Sequence, residues 1–124
     1  MVDAIFQKYS MIRYYYSNML LISQGSQTNT RSAFYKPLFF EFPEDLNTYN
    51  DIRYNIMLGK ALKLSINSDS LGVTTTSFYF PAGTWCNIIR PTDACIVSTG
   101  QAQNLSSKAY DYYVHLREGY IVPY

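Results

Sequence analysis

The sequence predicts a mainly β fold with an N-terminal helix, and three observations support this class. A helical spacing of residues runs through the first 25 positions, and short β-rich segments separated by turn residues follow it. The chain of 124 residues suits one ordinary domain. The strand segments recur at a spacing typical of antiparallel sandwiches.

The predicted helix covers residues 4–23. Asp3 stands where a side-chain oxygen can cap the first turn, and Gly25 lies in the polar run that ends the helix. Residues at alternating steps of four and three share one face of such a helix. The residues on that face are Ile5, Tyr9, Ile12, Tyr16, Met19 and Ser23.

Most of the remaining chain is expected to form strands. Residues 32–42 are aromatic and β-rich, and Pro37, which cannot donate to a ladder, indicates a strand start or a bulge. Later strands are predicted at residues 62–66, 73–80, 85–89, 110–117 and 119–124. The last of them is apolar and ends without a polar tail, which favours a chain cut from a larger protein.

Two of the predicted strands alternate apolar and polar side chains. Lys63 and Ser65 interrupt the apolar residues of 62–66, and His115 lies on the more polar side of 110–117. Such alternation is typical of a strand with one face in water. His115 is therefore a poor candidate for a general base.

Composition excludes several classes of function. The formal net charge is +1, which gives no electrostatic reason to expect nucleic acid as a partner. The longest nearly uncharged stretch, residues 14–30, turns polar after Ile22 and is too short for a membrane span. Two cysteines and one histidine do not make a metal site, and no motif calls for a cofactor.

The two cysteines, Cys86 and Cys95, leave two interpretations open. A disulfide is possible in an oxidising compartment, and two buried thiols are equally compatible with the residues alone. A glycosylation sequon at Asn104-Leu105-Ser106 would be used only in the secretory pathway. Such triplets also arise by chance, so the sequon bears only slightly on location.

Five blocks, in order, resemble glycoside hydrolase family 31, the α-glucosidases and their relatives. The family shows an Arg-Tyr helix, a strand of the type RPLFFEFP-D, then MLGPALLVAPV, YFP-G-WYD and HVRGGYIIP. The corresponding blocks here are IRYYYSNML (12–20), YKPLFFEFPED (35–45), MLGKALKLSIN (57–67), FYFPAGTWCNI (78–88) and YVHLREGYIVP (113–123). Together they cover nearly the whole chain.

The resemblance implies an arrangement of two parts. Residues 1–50 would be the last helix and the eighth strand of a (β/α)8 barrel, and residues 51–124 an incomplete proximal β-sandwich. The family hydrolyses α-glycosidic bonds with retention, using two aspartates that belong to earlier barrel strands. No catalytic, substrate-binding, cofactor or metal residue is therefore expected here. Lys36, which replaces the family's arginine, and Glu41 are candidates for supporting roles near the pocket. For Glu41 the favoured interpretation is a partner for a neighbouring arginine or backbone amide.

The function implied is that of a structural portion of a retaining α-glycosidase, inactive alone. Its partner would be the rest of the barrel or another chain, and carbohydrate would bind through the complete enzyme. The alternative is a non-catalytic carbohydrate-binding or structural module of the same descent. Trp85 and Tyr113 are its sugar-stacking candidates, although a core position is the favoured interpretation of Trp85. A third reading is an unrelated β-rich interaction domain.

The resemblance also bears on compartment, because it implies a secretory, lysosomal or extracellular setting for many members. With Pro91 and Asp93 available to turn the intervening chain, it favours a disulfide between Cys86 and Cys95.

Overall fold

The N-terminal segment forms two helices, so the prediction of a single helix over residues 4–23 is wrong. In the computed structural model α1 covers Val2–Ser10 and α2 covers Ile12–Gln24. Met11 lies between them with φ −94° and ψ 11°, and it is only 3% exposed. The break brings Met11 into the core. The predicted end is confirmed at Gly25, whose φ of 58° is left-handed.

The structure describes residues 2–25, 33–50, 52–68, 72–106, 108 and 111–123. Residues 26–32 of the polar run that ends the helix, and position 110 of the predicted strand 110–117, lie outside that part. Asp3 lies inside the first turn of α1, so the expectation that it caps the helix is wrong. Its carboxylate instead lies near the positive end of the helix dipole.

Within the residues that the structure describes, eight strands follow the helices, five of them in segments predicted as strands and three, at residues 55–58, 96–98 and 101–106, outside those segments. In chain order they are β1 Tyr35–Lys36, β2 Asn55–Leu58, β3 Leu62–Ile66, β4 Thr75–Phe80, β5 Gly83–Asn87, β6 Ile96–Ser98, β7 Gln101–Ser106 and β8 Tyr112–Arg117. The mainly β class is confirmed. No strand is present in residues 118–123, so the predicted final strand at 119–124 is wrong where the structure describes it.

The strands form two antiparallel sheets. The larger has the order β1-β2-β3-β8-β5-β6, and β4 pairs with β7 in a two-stranded ribbon. Directly paired residues of an antiparallel sheet point to the same face, so the register assigns each side chain to a layer. Leu64 pairs with Val114 on one face, and Lys63 pairs with His115 on the other.

Each face of the larger sheet has its own core. On the Leu64 side, buried residues of the helices and of the sheet pack together: Met11, Tyr14, Phe34, Leu58, Ala61, Leu62 and Val114. On the Lys63 side the ribbon covers the sheet, and the buried apolar residues are Leu38, Tyr54, Met57, Phe78, Phe80, Trp85 and Tyr113. Residues 2–123 thus supply a helical layer, a sheet and a second β layer.

The aromatic segment 32–42 is not a continuous strand, which corrects the sequence prediction. Only Tyr35–Lys36 pairs, with Met57 and Leu58 of β2. After Pro37 the chain turns into a 3₁₀ helix at Leu38–Phe40, where the amide of Glu41 donates to the carbonyl of Leu38 at 3.0 Å. Pro37 lacks an N–H and cannot continue the ladder, so the segment bends there.

The helix face predicted from the spacing is exposed to solvent. The large apolar side chains on it are 47–68% exposed: Ile5, Tyr9, Ile12, Tyr16 and Met19. Helix α1 has no buried residue, and in α2 only Tyr14 is buried. Large apolar side chains exposed in such number along two helices favour contact with another protein surface.

Candidate functional site

A cleft of about 700 Å³ opens between α2, the segment that contains β1, and the residues after β8. Leu21, Phe40 and Ile121 give it an apolar rim. Its polar lining includes Tyr14, Asn18, Lys36, Glu41 and Lys60. Two of these, Lys36 and Glu41, are residues for which the sequence predicts supporting roles.

Lys36 and Glu41 form an ion pair in this cleft. The 3₁₀ helix at Leu38–Phe40 turns the chain back, so the Glu41 carboxylate meets the Lys36 ammonium five residues earlier. The Lys36 side chain is 3% exposed and that of Glu41 13%. Burial of both charges requires their pairing, because an unpaired charge is costly in a poorly hydrated site.

The cleft does not contain the carboxylate pair that glycoside hydrolysis needs. Among its described lining residues Glu41 is the one carboxylic acid, and its charge is balanced by Lys36. Retaining glycosidases place two carboxyl groups about 5–5.5 Å apart. Within the described ranges no group of three or more metal-binding side chains gathers in one place. The described lining of the cleft thus supplies one carboxylate, and that carboxylate is paired with Lys36.

Tyr14 fixes the floor of the cleft, and sequence reasoning did not single it out. Its hydroxyl donates to the Leu58 carbonyl at 2.7 Å and accepts from the Ala61 amide at 3.3 Å. Burial raises the pKa of Tyr14 above its ordinary value. Tyr14 lies off the face that the helical spacing marks, so no local signal distinguishes it from the other tyrosines of the helix.

The turn between β2 and β3 packs directly against Tyr14. Gly59 has φ +64°, and a Cβ there would lie 2.5 Å from the Tyr14 hydroxyl and 2.9 Å from Asn18 Oδ1. Both the left-handed backbone and this close approach require glycine. The amide of Gly59 also donates to the Phe34 carbonyl at 2.8 Å, which holds the turn against the segment leading to β1.

The side of β3 and β8 that carries Lys63, Ser65 and His115 is buried. The prediction that this side faces water is therefore wrong. Lys63 and Ser65 are 0% exposed and His115 is 2% exposed. The Lys63 ammonium bonds to the Ser65 hydroxyl and lies 3.9 Å from the centre of the Phe80 ring. Burial lowers the pKa of Lys63 well below its usual value. This face is buried because the aromatic side chains of the β4–β7 ribbon cover it.

Two other polar side chains in this interior have buried atoms without a hydrogen bond among the described residues. His115 lies edge-on to Phe80 with ring centres 4.9 Å apart, and its Nδ1 has no hydrogen bond in the described part of the molecule. The same holds for both amide atoms of buried Asn55. Burial, and then the charge of Lys63, lowers the pKa of His115 to about 3. The region is a buried polar interior, and its unpaired groups cost stability.

We expect the stability of the protein to fall as the pH drops below about 6.5, because His115 is held neutral in the fold. Its folded pKa of about 3 lies below the unfolded value, so stability is complete above pH 6.5 and declines between pH 6.5 and 3. The slope approaches about 1.4 kcal/mol per pH unit. Urea unfolding at pH 7.5 and 5.5 should differ by about 1 kcal/mol from this group. If His115→Gln shows the same difference in unfolding free energy between the two pH values, His115 is not the source of that difference.

The candidate sugar-stacking residues are buried. Trp85 is 0% exposed and donates from Nε1 to the Pro81 carbonyl at 2.9 Å, and Tyr113 is 5% exposed. The expected exposure is wrong for Tyr113, whereas the core position favoured for Trp85 is confirmed, since the ribbon packs over both. These two residues therefore do not support the carbohydrate-binding alternative.

The remaining predicted residues lie at the far end of the sheet and on the ribbon. A disulfide joins Cys86 of β5 to Cys95, just before β6. Asn87 orders the loop between them, with its Oδ1 accepting from the amides of Ile89 and Arg90 at 3.0 and 3.2 Å. Asn104 lies in β7 and is exposed. Neither feature contacts the cleft.

The comparisons with known proteins agree on one family. The family model described as the C-terminal domain of glycosyl hydrolase family 31 matches residues 31–122. The chain is 33% identical over 116 residues to an alpha-glucosidase of Hordeum vulgare, covering 94% of this chain and 12% of that protein. It is 36% identical over 104 residues to the lysosomal alpha-glucosidase of Mus musculus, covering 71% of this chain and 11% of that protein.

A solved structure supports the same fold. A family 31 dextranase of Flavobacterium johnsoniae, complexed with isomaltotriose, aligns with a TM-score of 0.82 at 20% identity. The alignment covers 97% of this chain and 14% of that one. The described residues contain no helix long and apolar enough to cross a membrane.

The fold and the comparisons together define the class of protein, which is a mainly β portion of the C-terminal domain of a glycoside hydrolase. The chain belongs to glycosyl hydrolase family 31, and its sequence is α-glucosidase-like. It spans about one eighth of the length of the curated relatives named above.

Proposed function

We propose that this chain is a structural, non-catalytic part of a retaining α-glycosidase that hydrolyses α-glucosidic bonds. The observation that carries the proposal is the cleft. In a chain that belongs to the family, the described lining of this cleft holds one carboxylate, that of Glu41, and Lys36 balances its charge. Both catalytic carboxylates would then come from polypeptide outside this chain. Carbohydrate would bind through the complete enzyme.

We also propose that residues 1–50 belong with a (β/α)8 barrel, as its last helix and eighth strand, and residues 51–124 with the proximal sandwich. Support comes from the helix face with Tyr9 and Tyr16 exposed at 65% and 68%, which needs a covering partner. The rest of the barrel is the proposed cover. A secretory, lysosomal or extracellular location is part of this proposal, since relatives include lysosomal α-glucosidases.

The test compares this chain with the complete gene product on an aryl α-glucoside. We expect the complete product to release glucose first as the α-anomer, observed by proton NMR, and the chain alone to release none. The anomer reports retention, because two displacements at one carbon restore its configuration. Hydrolysis by the chain alone would overturn the structural role, and a complete product that binds but does not cleave α-glucosides would favour the binding-module alternative.

A further inference from the structure

We propose that Asn104 carries an N-linked oligosaccharide on the outer face of the β4–β7 ribbon. Asn104-Leu105-Ser106 is the one sequon of the sequence. The triplet alone occurs often by chance, so the inference depends on where the ribbon places its side chains. It also rests on the proposed secretory location.

The side chains of the ribbon alternate between an inner and an outer face, with half-buried Tyr79 on the outer face and exposed Gln101 on the inner one. Phe78 and Phe80 point into the inter-sheet core and are 1% and 0% exposed, and Leu105 of β7 packs against that core. Asn104 pairs with Ser77 on the opposite face. The exposed residues of the outer face are small: Thr75, Ser77, Ala102, Asn104 and Ser106.

This arrangement lets the folded strand carry a bulky substituent. Leu105 anchors the register, and a slip of one residue would exchange the two faces, so the apolar pattern holds Asn104 outward. The side-chain amide leaves the backbone ladder of β7 untouched when it is substituted. In the proposed arrangement the rest of the enzyme packs against the helices, so the outer face of the ribbon stays in water.

The disulfide gives independent support for the compartment. Cys86 and Cys95 are joined, and such bonds persist chiefly in the oxidising environments where N-glycosylation also takes place. In the modification, the Asn104 amide nitrogen bonds to the anomeric carbon of a polyprenyl-diphosphate-linked oligosaccharide. The bond from that carbon to the diphosphate breaks, the polyprenyl diphosphate leaves, and the amide nitrogen loses one proton.

The test is expression of the complete gene product in eukaryotic cells with an intact secretory route. Peptide-N-glycosidase in heavy-oxygen water should convert Asn104 to labelled aspartate, read by mass spectrometry of the peptide. Ser106→Ala should abolish the glycosylated form, and Ser106→Thr should retain it, since threonine also completes the sequon. Ser77→Ala, across the ribbon, should leave the modification unchanged.

Alkylation of the same samples without reductant separates two kinds of failure. An unmodified Asn104 with oxidised Cys86 and Cys95 would overturn the glycan while the proposed location stands. An unmodified Asn104 with both thiols alkylated would overturn the glycan and the location together.

Discussion

Replacing Lys36 with methionine is expected to lower the free energy of unfolding by about 3–5 kcal/mol, the usual cost of removing one partner of a buried ion pair. The substitution leaves the Glu41 carboxylate, 13% exposed, without the ammonium that balances it. Methionine keeps the length and the apolar stem of lysine, so the loss reports charge more than packing. Chemical denaturation of the protein and of Lys36→Met measures the difference.

A double-mutant cycle distinguishes pairing from general damage at this site. Lys36→Met/Glu41→Leu removes both charges, and well-packed apolar replacements of buried ion pairs are often neutral or stabilising. We therefore expect the double variant to be more stable than Lys36→Met. Glu44→Gln, at an exposed acid in the neighbouring turn, should change stability by at most about 0.5 kcal/mol. The pairing would be contradicted if the double variant lost at least as much unfolding free energy as Lys36→Met and Glu41→Leu lose together.

Replacing Lys63 with methionine is expected to raise the free energy of unfolding at pH 7 by roughly 1–4 kcal/mol, the range seen when buried charged groups give way to apolar ones. Lys63 is 0% exposed, and among the described residues its ammonium meets the Ser65 hydroxyl and the rings of Phe78 and Phe80. Its contact with the Phe80 ring, at 3.9 Å, offsets part of the desolvation cost. Methionine has a similar shape and no charge to desolvate.

The pH dependence of this gain identifies its cause. Burial lowers the pKa of Lys63, so the unfolded chain binds the proton more tightly than the folded one, and stability rises with pH up to the unfolded pKa. The advantage of Lys63→Met should therefore shrink as the pH rises from 7 towards 10.5. Lys8→Met, at an exposed lysine of α1, is the matched control and should show no comparable gain. A gain that stays constant with pH would instead indicate better packing.

These two lysines show why a charged side chain is hard to place from sequence. Lys36 lies beside an aromatic run and Lys63 within an alternating one, and both are buried. Lys36 meets Glu41 because the chain bends after Pro37, and that bend replaces the strand the sequence predicts. Lys63 is covered by Phe78 and Phe80 of the ribbon, which follow it by 15 and more residues.

The sequence by itself determined the mainly β class, the end of α2 at Gly25, and the positions of β3, β4 and β8. These features follow from local rules: the period of two of a strand and the left-handed tolerance of glycine. Five blocks in order also pointed to the family that the comparisons then showed.

The tertiary structure alone decided which surfaces are buried. Alternation in β3 and β8 reports a difference in polarity between two faces, and the side with His115 is buried because a second β layer covers it. The helix face with the regular apolar spacing remains exposed, because Met11 and Tyr14 make the core contacts instead. Burial depends on which distant segments come together, and local spacing does not encode that.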